Sequence, residues 1–85
     1  MAPVTLYSTM LCPYCFAAKN LLKGKGMAFD VIDVTMDPKA RAAMSEKSGG
    51  RTSVPQIFIG DTHVGGFDEL SNLDRQGKLD NLLGI

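Results

Sequence analysis

The chain is short of cysteine, has no excess of either charge and carries no long apolar run. Its 85 residues hold two cysteines, one histidine, nine basic and nine acidic side chains. Two cysteines cannot build a framework of disulfide staples. Balanced charge without a basic cluster excludes an electrostatic nucleic-acid surface, and it equally excludes an acidic solvating tail. No apolar run approaches the ~20 residues of a membrane span. Met1-Ala2-Pro3 leads straight into a strand pattern, without the charged and then apolar segments of a signal peptide. The expectation is a cytoplasmic protein, monomeric by default, with one domain over 1–85, a modest core and neither nucleic-acid nor membrane partners.

The two cysteines that are present stand two residues apart, in Cys12-Pro13-Tyr14-Cys15. A disulfide here would close almost the shortest possible loop and constrain little of the unfolded chain. A pair that opens and closes explains the spacing better. In a reducing compartment it reads as redox or metal chemistry. Zinc is disfavoured, because two cysteines and the distant His63 do not supply four ligands at a known spacing, so no metal is expected. Val4-Thr5-Leu6-Tyr7 precedes the pair as a β-branched and aromatic run, and a helix-like stretch from Tyr14 to Lys23 begins inside it. Cys12 would then sit at a helix N-terminus, where unpaired N–H groups and the helix dipole favour negative charge and a reactive thiolate.

The remaining pattern alternates strand and helix. Val4 to Ser8 reads as a strand. Pro13 suits a first helical turn, and Ala17, Ala18, Leu21 and Leu22 make an apolar stripe that Gly24 and Gly26 end. Phe29 to Val34 reads as a second strand, parallel to the first through a right-handed crossover. Asp37-Pro38 predicts a helix start, Ala40, Ala43, Met44 and Lys47 continue it, and Gly49-Gly50 stops it. Gln56 to Ile59, the turn Gly60-Asp61 and His63 to Gly65 form a hairpin. Phe67, Leu70 and Leu73 open a third helix ended by Gly77, and Leu79, Leu82 and Leu83 suggest a last helical turn. The fold class is α/β: one four-stranded mixed sheet flanked by helices, in the order β-α-β-α-β-β-α.

With these elements in place, the chain resembles a glutaredoxin of the short, dithiol, bacterial type. The likeness is carried by Cys12-Pro13-Tyr14-Cys15 after a strand, by Arg51 to Gly60 around Val54-Pro55, by Gly65-Gly66-Phe67-Asp68-Glu69-Leu70, and by the element order. It implies a thioredoxin-like fold and glutathione as reductant and co-substrate. It implies that Cys12 attacks a disulfide and that Cys15, one turn further on, resolves the mixed disulfide. Tyr14 would flank the sulfur as a flat apolar wall, or else simply pack on the surface. Val54 and Pro55 match the family's cis-proline segment, which pairs with glutathione as an added strand does, and Ser53 stands for the family's threonine there, keeping its hydroxyl. A cis X–Pro bond occurs at only ~5% of such sites in folded proteins, so context must select it; here the context favours cis. Asp68 matches the residue that holds the γ-glutamyl amine, with Glu69 a weaker candidate from the same turn. Arg41 matches a position that holds the glycyl carboxylate, with Arg51 as the nearby alternative.

Thr9 stands where many of these proteins carry a lysine, which implies weaker carboxylate binding. Phe16 reads as packing before it reads as part of a partner surface. The implied partners are disulfide-containing or glutathionylated proteins, with ribonucleotide reductase among the family's substrates. Two rival readings remain open. One is a thioredoxin-type electron donor, disfavoured by Pro13-Tyr14 between the cysteines. The other is a glutathione-ligated iron–sulfur cluster protein, disfavoured by the proline at position 13.

Overall fold

The computed structural model describes residues 3–85; Met1 and Ala2 of the opening segment lie outside the described residues. Strands and helices follow in the order β1 (Val4–Ser8), α1 (Pro13–Gly24), β2 (Asp30–Asp33), α2 (Pro38–Lys47), β3 (Gln56–Ile59), β4 (Thr62–Gly65), α3 (Phe67–Arg75) and α4 (Leu79–Leu83). The four strands form one mixed sheet ordered β2-β1-β3-β4. β1 and β2 are parallel, whereas the β1–β3 and β3–β4 pairs are antiparallel. The expected last helical turn is a helix in its own right, so the order gains a fourth helix, α4.

Alternation along the strands sends side chains to two apolar layers. Val4, Leu6, Ile57 and Ile59 face one layer with Ala18 and Leu22 of α1, Leu70 of α3, and Leu79 and Leu83 of α4. Tyr7 faces the other with Val34 and Met44, and Phe58 packs against them. The local helix signals act as read. Asp37 caps α2 by accepting from the Ala40 N–H at 3.0 Å, and Pro38 starts that helix. Lys25, just past α1, bonds Asp74 at 2.6 Å and Asp80 at 2.8 Å, clamping that end of α1 to the end of α3 and to α4.

Two readings shift. The second strand is shorter than Phe29 to Val34, and Val31 is 44% exposed. β2 is an edge strand with a neighbour on one side only, so its alternation buries little. In α2 only Met44 is buried, since that helix lies on the sheet through few residues.

The topology delivers one end of the sheet to the site. Antiparallel pairing sets Gln56 at the start of β3 against Tyr7 near the end of β1. The segment before Gln56 is thereby brought beside the turn that follows β1. The next antiparallel step sets Gly65, at the end of β4, opposite Ile57, so α3 also starts at this edge. Parallel pairing of Ser8 with Asp33 brings the loop after β2 to the same place.

Because Leu70 is fully buried in the larger layer, Leu70→Ala should lower stability by about 2–5 kcal/mol in denaturant titrations. Val31→Ala, at the exposed edge, should cost less than about 0.5 kcal/mol. Equal losses would show that the core lies elsewhere.

Candidate active site

Cys12 occupies the cap position of α1, with φ −137° and ψ 100°. Its sulfur accepts a hydrogen bond from the Cys15 N–H at 3.1 Å. The Phe16 N–H bonds the Cys12 carbonyl at 3.1 Å, closing the first turn. Sulfur here does what a serine or aspartate oxygen does at other helix starts. No acidic side chain occupies this first turn, so nothing competes with Cys12 for the positive end of the helix.

Both cysteines are free thiols, and they differ in exposure. Cys12 is partly exposed, while Cys15 is 1% exposed. Burial pushes the Cys15 thiol above its ordinary range, and its hydrogen bond with Cys12 pushes the same way. Cys15 therefore rests as a protonated thiol beneath a more accessible partner.

The Val54–Pro55 peptide bond is cis. The Val54 carbonyl oxygen lies 3.9 Å from the Cys12 sulfur. Beside this pair is a cleft of about 220 Å³, lined by Tyr14, Arg51, Ser53, Val54, Pro55, Gly66, Phe67, Asp68 and Glu69. Tyr14 is exposed along one wall and inclines against Phe67, with ring centroids 6.3 Å apart.

The sequence-derived candidates separate in this geometry. Tyr14, Ser53, Val54, Pro55, Asp68 and Glu69 all line the cleft. Arg41 does not; its Nη2 donates to the Thr52 carbonyl at 3.0 Å, and Arg51 is the arginine in the lining. Arg51 is itself engaged, with Nη1 2.7 Å from Glu69 Oε1. Glu69 reaches back to the Gly66 N–H at 3.3 Å, which makes it a cap for α3. Phe67 was read only as the first residue of a helix. Its place directly after Gly65-Gly66 was the one available sign that it faces the cleft.

Gly65 makes the Arg51–Glu69 contact possible. Its φ is +112°, and a Cβ there would stand 2.6 Å from Glu69 Oε1 and 2.8 Å from Arg51 Nη1. No L-side chain suits that conformation or that space.

A second surface borders Cys12. Leu11 is 95% and Phe16 65% exposed, and Met10 and Met36 are exposed with them. None of these four lines the cleft. The Met10 N–H donates to Thr35 Oγ1 at 2.9 Å, which fastens the loop after β1 to the loop after β2 and brings both methionines to one place. Phe16 does not pack as expected. The buried stripe of α1 runs Cys15, Ala18, Leu22, and the position after Cys15 turns outward. From Thr9 to Ala18 the chain carries no charge.

Arg51 beside Glu69 holds that carboxyl below its ordinary range, and the Gly66 N–H adds to the effect. The folded state thus favours the ionised form more than the unfolded chain does. The resulting stabilisation is complete above the unfolded glutamate range of about 4.3 and is lost as pH falls through the lower folded value. The pair is roughly two-fifths exposed, so its worth is under about 1 kcal/mol. Denaturant titrations across pH 7 to 3 should show a shallower acid loss of stability for Glu69→Gln than for wild type. Parallel curves would mean that the ion pair is not formed in solution.

Comparison with known proteins agrees with this geometry. The glutaredoxin family model matches residues 4–64. A glutaredoxin of Pseudomonas aeruginosa is 53% identical over 83 residues, covering 98% of each chain. Glutaredoxin 3 of Escherichia coli is 47% identical over 83 residues, covering 98% of this chain and 99% of its own. The solution structure of a Brucella melitensis glutaredoxin superposes with a TM-score of 0.86 at 52% identity, covering 98% of this chain and 89% of that one. The crystal structure of a buckwheat glutaredoxin–glutathione complex superposes with a TM-score of 0.87 at 30% identity, covering 98% and 77%. With its paired thiols at the start of a helix on a thioredoxin-like fold, the chain belongs to the glutaredoxin family of thiol–disulfide oxidoreductases.

Proposed function

We propose that this chain, acting as a monomeric single domain over 1–85 in the cytoplasm, uses glutathione to reduce protein–glutathione mixed disulfides and protein disulfides. The observation that carries the reading is the arrangement around one sulfur. Cys12 Sγ accepts from the Cys15 N–H at 3.1 Å, lies 3.9 Å from the Val54 carbonyl, and borders a cleft lined by Tyr14, Val54 and Asp68. The buckwheat relative's complex with glutathione supports the same choice of thiol.

The Cys12 thiolate attacks the glutathione sulfur of a mixed disulfide. The old S–S bond breaks, a Cys12–glutathione disulfide forms, and the protein thiolate leaves and takes a proton. A second glutathione thiolate then attacks the bound glutathione sulfur, which releases glutathione disulfide and restores Cys12. With a protein disulfide, Cys12 joins one sulfur, and Cys15, once deprotonated, attacks Cys12 Sγ. The protein leaves as a dithiol and the Cys12–Cys15 disulfide remains. Two glutathiones reduce it in turn. Keeping Cys15 buried and protonated until that moment limits premature closure.

The cleft suits the tripeptide. Among the described residues no backbone group bonds the Val54 N–H, so an extended peptide can pair with Val54 as an added strand. Asp68 offers a carboxylate to the γ-glutamyl amine, while the N–H groups opening α3 face the adjacent carboxylate. Ser53 and Pro55 shape the floor beneath the peptide, and Tyr14 forms a wall. Arg51 lines the cleft through its bond to Glu69 at the start of α3, and Arg41 rests on the Thr52 carbonyl; both are candidates to meet a glutathione carboxylate. The exposed apolar side chains of Met10, Leu11, Phe16 and Met36 support protein disulfides as the other half of the substrate.

The test is reduction of a glutathione mixed disulfide, coupled to glutathione reductase and NADPH. Cys12→Ser should lose all activity, whereas Cys15→Ser should retain a large share. An inactive wild type would sink the glutathione reading. In the same assay Asp68→Asn should raise KM about tenfold, the loss expected for one charged hydrogen bond. Thr9→Lys should lower KM severalfold by restoring a cation beside the cleft. An unchanged KM in Thr9→Lys would show that no substrate carboxylate comes near position 9.

A further inference from the structure

Gln56 and His63 lie outside the cleft, and the exchange chemistry above makes no use of them. Gln56, the first residue of β3, is 0% exposed. Its Nε2 donates to the Ser53 carbonyl at 3.0 Å and reaches Ser53 Oγ at 3.3 Å. Its Oε1 stands 2.7 Å from His63 Nε2.

The chemistry of the groups orients this chain. A carbonyl oxygen only accepts, so the NH2 end of Gln56 faces Ser53 and Oε1 faces the imidazole. His63 Nε2 must then carry a proton and donate it. His63 has little freedom to do otherwise. Its ring stacks on Phe58 with centroids 4.9 Å apart, and Phe58 meets Tyr7 edge-on at 5.7 Å. The imidazole is thus packed by the aromatic layer on the second face of the sheet and aimed at a buried amide.

What the amide holds is the loop beside the reactive sulfur. Ser53, whose carbonyl Gln56 grips, directly precedes Val54, whose carbonyl faces Cys12 Sγ. We propose that His63 and Gln56 are positioning residues for the glutathione-binding loop: His63 orients the Gln56 amide, and Gln56 pins Ser53 so that the Val54 backbone stays in place for the peptide. The proposal rests on the glutathione reading above. Without the imidazole, Oε1 of a fully buried amide loses its donor, and the amide is free to turn away from Ser53.

The experiment compares wild type, His63→Ala, His63→Gln and Gln56→Glu. Each is measured for KM and kcat with a glutathione mixed disulfide, for the alkylation rate of Cys12 by iodoacetamide, which does not need the cleft, and for denaturant midpoint. Gln56→Glu keeps the shape but cannot donate to the Ser53 carbonyl. His63→Gln keeps a donor close to the Nε2 position. Expected are a KM raised at least fivefold in His63→Ala and Gln56→Glu, Cys12 alkylation within twofold of wild type, and recovery of KM to within twofold in His63→Gln. Gln56→Glu carries the test should His63→Ala not fold. A KM within twofold of wild type in Gln56→Glu overturns the proposal. So does a fall in alkylation that keeps step with KM, which marks general loss of the site. A wild type that turns over the mixed disulfide while the variants match it overturns the positioning role alone. A wild type that does not turn it over removes the glutathione reading and this role together.

Discussion

The first turn of α1 is built around a sulfur atom. Cys12 Sγ occupies the cap, accepts from the Cys15 N–H, and so ties the conformation of the loop to the start of the helix. That hydrogen bond strengthens as the sulfur gains negative charge, since charged acceptors bind donors more tightly than neutral ones. The donor of that bond is the backbone of the second cysteine, so the two thiols share one turn. The proposed nucleophile, the N–H that supports it and the proposed resolving thiol are one local structure. The rest of the fold need only bring substrate-binding surfaces to it.

Strand order does that. Three connections end at one edge of the sheet because β3 runs against β1 and β4 runs against β3. Val54 and Asp68, far apart in sequence, become walls of one cleft. Charge within the cleft is arranged economically. Glu69 pairs with Arg51 and caps α3, which leaves Asp68 as the lining carboxylate with no ion pair among the described residues. The lack of a side chain at Gly65 lets that pair form across the end of the hairpin.

Much of this was legible in the sequence wherever local chemistry decides the outcome. The cap and proline at Asp37-Pro38, the turn at Gly60-Asp61 and the strand at Gln56 to Ile59 act through neighbours a few residues away, and each formed as read. The cysteine pair and the Val54–Pro55 segment were legible because the resemblance spans them. What escaped depends on distant packing. Whether Arg41 or Arg51 reaches the cleft turns on where long side chains end, and Arg41 ends on the Thr52 carbonyl. Phe16 was expected to pack, yet the helix rotates it outward. β2 was expected to run longer, but an edge strand with one neighbour buries too little to sustain its pattern. The Gln56–His63 contact joins two strands, and no spacing in the sequence signals it.

The approach to the reactive sulfur carries no charge from Thr9 to Ala18. Contact confined to that uncharged segment gains no local electrostatic steering, which leaves association near the unsteered rates of about 10⁵–10⁶ M⁻¹ s⁻¹. Such encounters are also nearly indifferent to ionic strength, because there is little field for salt to screen. On that side Cys12 offers a colliding disulfide no charge to read; the charges of Arg51, Asp68 and Glu69 lie in the cleft on its other side. On the proposed function, selection among disulfides then falls to the lifetime of the encounter, through apolar contact on one side of Cys12 and peptide pairing and charge on the other.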